Sequence, residues 1–139
     1  MTHEVKTTWK GNMAFDNDID GHIVRIDAKP PLGDNSGPSP KKLLLASLAG
    51  CTGIDVVSLL DKMRAPVRAL EIETAADLTE EHPKVYSEIR ITYRFYGKDL
   101  KKSKIEKAVN LSKERYCGVS EMLKASSDIK FVIEYVEED

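Results

Sequence analysis

The stretch Pro40 to Met63, PKKLLLASLAGCTGIDVVSLLDKM, constrains this chain more than any other. Its apolar residues Leu43, Leu44, Leu45, Leu48, Ile54, Val56, Val57, Leu59, Leu60 and Met63 point to nearly every side of a helix. A helix that is apolar all round is a buried one. Ser39 before Pro40 supplies an N-cap followed by proline at the first helical position, where the missing N–H breaks no bond. At about 1.5 Å per residue such a helix runs about 36 Å, the width of a small domain. Its centre, Ala49-Gly50-Cys51-Thr52-Gly53, sets two glycines in a helix interior at about 1 kcal/mol each relative to alanine. Two readings of that centre stay open. Small residues let a neighbour approach an inert core cysteine, or the glycines clear room for a substrate over a reactive sulfur.

A chain of 139 residues that is 41% apolar suits one domain with one core, here spanning 1–139. Its 21 basic and 23 acidic residues leave a formal charge of −2, and aromatics are not interleaved with basic runs, so nothing suggests nucleic-acid binding. The opening MTHEVKTTWKG has no apolar core of signal-peptide length, and Lys41, Lys42, Asp55, Asp61 and Lys62 interrupt the apolar stretch. The expectation is a cytoplasmic protein with no membrane partner, whose two cysteines are free or transiently paired. His3, His22 and His82 stand in no ligand spacing with each other or with the cysteines, so the sequence predicts no metal site and no cofactor.

Period-two alternation predicts strands over His3–Lys10 and His22–Ala28, with a second strand between them at Asn12–Phe15 cut off by the turn-rich Asp16 to Gly21. Lys29 to Ser39 is a Pro/Gly loop, either a pocket wall or a plain connector. Beyond Pro66, Arg68–Leu78 and Lys84–Tyr96 alternate as two long strands around a turn at Thr79–Pro83. Their single polar face suits an antiparallel sheet covered on one side. Lys101–Tyr116 reads as a second helix, Glu121–Ala125 as a helical turn and Asp128–Val136 as a closing strand. The order is α+β. A helix apolar on all sides outruns the cover of one sheet and one helix, and a second copy in a two-fold dimer would supply the remainder.

The second cysteine follows a helix end in Arg115-Tyr116-Cys117-Gly118. Two thiols brought together by the fold suit peroxide reduction, in which one sulfur becomes a sulfenic acid and the other captures it as a disulfide. PSPKKLLLASLAGCTGIDVV together with LSKERYCGVSEML resembles the OsmC/Ohr superfamily of osmotically induced and organic hydroperoxide resistance proteins. The resemblance covers essentially the whole chain. It implies antiparallel sheets packed around a long buried central helix in an intertwined homodimer. It also implies a thiol peroxidase acting on organic hydroperoxides, with lipoyl-type dithiols as reductants. Matched by position, Cys51 is the peroxide-attacking cysteine and Cys117 the resolving one.

One position departs from the family pattern. Hydroperoxide reductases carry a glutamate ten residues before the first cysteine, where it holds an arginine over the thiolate. Here Lys41 occupies that place and Lys42 follows. Arg25 is the only arginine before Cys51, and its setting after Gly21-His22 does not match the family motif. Arg25, Lys41 and Lys42 are the candidates for the group that lowers the cysteine pKa. The alternative function is a dimeric small-molecule-binding protein whose cysteines do not turn over.

Overall fold

The computed structural model describes all 139 residues, which divide into two compact units, Met1–Leu44 and Leu45–Asp139. In the first unit β1 (Lys6–Trp9), β2 (Phe15–Ile19) and β3 (His22–Ile26) form an antiparallel meander in the order β1-β2-β3. The meander agrees with the sequence reading, but its middle strand lies further along. Asp16–Asp18, expected to turn, is paired on both sides, Ile19 pairs with His22, and the turn is confined to Asp20-Gly21, where φ is +53° and +87°. Asp18 stabilises that turn by accepting the Gly21 N–H at 2.9 Å, so local side-chain bonding compresses it into fewer residues than composition suggested.

Asp27 organises the loop between Lys29 and Ser39. It is 2% exposed and accepts the Ala28 N–H at 2.7 Å, the Ser36 N–H at 3.0 Å and the Ser36 hydroxyl at 2.5 Å. A Cβ at Gly33 would stand 2.5 Å from the Asp27 carboxylate, which only glycine avoids. Those three donors hold the Asp27 carboxyl down at about 2. A group with a depressed folded pKa stabilises the fold above its unfolded value near 3.9 and loses that contribution as pH falls toward about 2. Asp27→Asn is therefore expected to lower the thermal midpoint at neutral pH. Its difference from wild type should shrink as pH drops from about 4 to about 2. Stepped-pH thermal unfolding of both proteins measures this, and a pH-independent difference would contradict it.

The second unit contains β4 (Ala69–Leu78), β5 (Tyr86–Gly97), α2 (Lys102–Leu111), α3 (Gly118–Leu123) and β6 (Asp128–Glu137), with most of the long helix α1 (Pro40–Lys62). Its sheet runs β4-β5-β6, and β5 is the central strand. β4 and β5 are antiparallel, but β6 lies parallel to β5, from Glu88 opposite Asp128 to Gly97 opposite Glu137. The expectation of purely antiparallel sheets is thereby corrected. Strands 5 and 6 are joined through α2 and α3, and a helical crossover returns the chain to the same end of the sheet, which yields a parallel neighbour.

The inner face of this sheet carries Ile89, Ile91, Tyr93 and Phe95, all buried against Leu48, Val56 and Leu60 of α1 and Ile105 and Val109 of α2. Its outer face is a layer of ion pairs. Arg94 bonds Glu73 and Glu134, each at 2.8 Å, across all three strands. Buried residues on α1 form one stripe, Leu48, Thr52, Val56 and Leu60, at four-residue steps. Within one chain the helix is not buried all round, since Ile54 is 74% and Val57 55% exposed. One sheet face covers about one helix face, which is the physical reason for the difference.

Candidate active site

Helix spacing accounts for half of the site. Cys51 and Asp55 are four residues apart in α1 and so share a face. Cys51 is half-buried, as is Asp55. The glycines beside Cys51 differ in role. A Cβ at Gly53 would lie 3.2 Å from Ile72 of β4, so Gly53 serves close packing, whereas a Cβ at Gly50 would meet nothing within 4 Å.

Cys117 comes from a break in the second helix. The sequence predicted one continuous helix to Tyr116, but after Leu111 the chain widens into a π-helical turn over Ser112–Tyr116. The Cys117 N–H reaches the Ser112 carbonyl at 2.8 Å. The extra residue in the turn is a register change of the kind found at functional sites. Cys117 then caps α3, its sulfur accepting the Ser120 N–H at 3.3 Å. It is 3% exposed.

The fold brings the three side chains together. Cys51 Sγ, Cys117 Sγ and a carboxylate oxygen of Asp55 all lie within 4.8 Å of one another. Both cysteines are free thiols. Burial, then the neighbouring Cys51 sulfur, push the Cys117 thiol up to about 11, with a further push from the Asp55 charge, while the Ser120 N–H pulls the other way.

Behind Asp55 runs a buried row of hydroxyls that sequence reading missed. Tyr93 Oη lies 2.7 Å from Thr52 Oγ1, Thr52 Oγ1 lies 2.9 Å from Ser112 Oγ, and Ser112 donates to Asp55 Oδ2 at 2.9 Å. Each hydroxyl has one proton. Ser112 spends its proton on the carboxylate, so Thr52 donates to Ser112 and Tyr93 donates to Thr52. Every proton in the row points toward Asp55, and bonds aligned in one sense reinforce each other. Burial raises the Tyr93 pKa, which keeps the phenol protonated as the first donor. Asp55 sits in the quoted motif GCTGID, four residues after the cysteine, and that spacing is the only sequence signal for it.

The three cationic candidates are placed as follows. Arg25 lies in β3 and bonds Asp16 of β2 through Nε, with Nη2 reaching the other carboxylate oxygen at 3.2 Å and Nη1 reaching Ser36 Oγ at 3.3 Å. Lys41 and Lys42 stand exposed in the first turn of α1 and enter no ion pair.

Residues 33–132 match the family model described as OsmC-like protein. The chain belongs to the OsmC-like family. Among its relatives is the protein YhfA of Escherichia coli K12, 33% identical over 96% of this chain and 98% of that one. A solved structure of similar fold is that of a hypothetical protein from Aquifex aeolicus VF5, with a TM-score of 0.84, 30% identity and 99% coverage of both chains. The organic hydroperoxide resistance protein OhrB of Bacillus subtilis shares the fold at a TM-score of 0.70, 21% identity and coverage of 96% of this chain and 98% of its own. The mixed α+β architecture with two small sheets is therefore that of OsmC-like proteins, and peroxide-resistance proteins lie among its fold relatives.

Proposed function

We propose that this protein is a cysteine-based thiol peroxidase for organic hydroperoxides. The observation that carries the reading is the approach of the Cys51 and Cys117 sulfurs to within 4.8 Å. A disulfide of about 2.05 Å then needs closure by less than 3 Å, within reach of side-chain rotation at the irregular turn before Cys117. In the first step the Cys51 thiolate attacks the O–O bond, leaving a sulfenic acid, and the departing alkoxide takes a proton from solvent to become an alcohol. In the second, Cys117 sulfur attacks the Cys51 sulfur and the S–O bond breaks. The Cys117 proton leaves with the hydroxide as water. A thiol held near 11 keeps that proton until the attack. A dithiol, of lipoyl type by family resemblance, returns the disulfide to two thiols.

The reading places the protein in the reducing cytoplasm as a homodimer, with the exposed apolar strip of Ile54 and Val57 as the contact between α1 helices. Arg25, Lys41 and Lys42 stay the candidate cations of this reading. Asp55 instead supplies a negative charge, and this favours the second reading, a binding protein whose thiols do not turn over.

The reduced protein is expected to consume one equivalent of tert-butyl hydroperoxide per chain and to lose two hydrogens in mass as a Cys51–Cys117 disulfide forms. If both thiols remain titratable after excess hydroperoxide, the peroxidase reading fails and the binding reading stands.

A further inference from the structure

We propose that the reduced protein binds a thiophilic divalent cation of the Zn2+ class between Cys51 Sγ, Cys117 Sγ and Asp55. The three donor atoms lie within 4.8 Å of one another. Tetrahedral zinc bonds sulfur at about 2.3 Å and carboxylate oxygen at about 2.0–2.2 Å, which sets donor atoms roughly 3.5–3.8 Å apart. Small side-chain rotations close that difference. Cys51 and Asp55 come from one face of α1, and Cys117 comes from the cap of α3, so the donors converge from two elements. Two sulfurs select zinc-like ions over magnesium or calcium, which want oxygen.

Three further observations support the site. Asp55 takes part in none of the ion pairs, so no side-chain cation already satisfies it. Its Oδ2 accepts from Ser112 at the end of the hydroxyl row from Tyr93, a single bond that leaves the carboxylate free lone pairs for a metal. Such outer bonds orient a ligating carboxylate. The Ser120 N–H on the Cys117 sulfur is a bond that a metal-bound thiolate also accepts. Half-buried Cys51 provides the way in, while three protein ligands leave a fourth position for water.

On binding, each thiol releases one proton to solvent and no electrons move. The inference does not rest on peroxidase activity. It does make the two states exclusive, because a disulfide has no sulfur to offer the cation.

The test uses the full-length protein, reduced, stripped with a chelator and held under argon, titrated with Co2+ and then Zn2+. One Co2+ per chain is expected, with a near-ultraviolet sulfur-to-cobalt charge-transfer band and the strong visible bands of tetrahedral cobalt, all bleached by one equivalent of Zn2+. The wild-type spectrum decides the sulfur ligation without any variant: a spectrum of hydrated cobalt alone overturns the proposal. Asp55→Asn should weaken binding at least about tenfold and Ser112→Ala about tenfold, with unchanged circular dichroism. Wild-type affinity in Asp55→Asn removes the carboxylate from the site and overturns the proposal as stated.

Discussion

Cys117→Ser, mixed with one equivalent of an organic hydroperoxide, is expected to stop at a Cys51 sulfenic acid. In the proposed cycle wild type passes on from that state to a disulfide, because the second sulfur stands within 4.8 Å. Serine keeps the size of the side chain but its hydroxyl does not capture a sulfenic acid, so the oxidised sulfur persists. Trapping with a sulfenic-acid-specific diketone should add one label per chain, confined to Cys51 by peptide mass mapping. Cys51→Ser should consume no hydroperoxide above a buffer blank, because Cys117 stays buried and burial, the largest cause of its raised pKa, keeps it a thiol, with little thiolate at neutral pH. The two variants thus differ in kind: one reacts once and stalls, the other does not react. Equal consumption by both would remove the distinction between attacking and resolving sulfur on which the proposed cycle depends.

These roles show where sequence reasoning reached and where it stopped. The long helix was legible to within a residue of its observed end, because Ser39-Pro40 and Pro66 punctuate a continuous apolar run. Its burial was not, since apolar composition states what a helix would bury and not how much of it one chain can cover. The alternation of Ile89, Ile91, Tyr93 and Phe95 gave the inner face of β5 directly. The parallel pairing of β6 was missed because alternation is the same for either strand direction. Asp55, Thr52, Ser112 and Tyr93 show the sharper limit. Each is ordinary in its own segment, and only tertiary packing, across sequence separations of 41, 60 and 57 positions, joins them into a chain of hydroxyls ending on a carboxylate.

Phe95→Ala is expected to cost about 3–5 kcal/mol, the range for deleting a fully buried aromatic ring. Phe95 is 0% exposed in the central strand of the second sheet and stacks on Tyr135 of β6 at 6.5 Å between ring centroids. Its neighbours in register are Leu70 and Tyr135, both partly buried parts of the same core, so the space it leaves lies under a strand paired on both sides, which cannot readily collapse into it. Against a total stability of about 5–15 kcal/mol this is a large fraction, and at roughly 4 °C per kcal/mol the thermal midpoint should fall about 10–20 °C. Arg94 supplies the internal control. One residue away, it points to the opposite face, where its ion pairs with Glu73 and Glu134 lie on exposed partners. Arg94→Ala should therefore cost only a small fraction of the Phe95→Ala effect, since ion pairs with exposed partners contribute little. Because a dimer would make the midpoint depend on concentration, both variants are to be compared with wild type at one protein concentration. If the two substitutions cost the same, the inner face of β5 is not the core that fixes α1, and the positions of Cys51 and Asp55 lose their support.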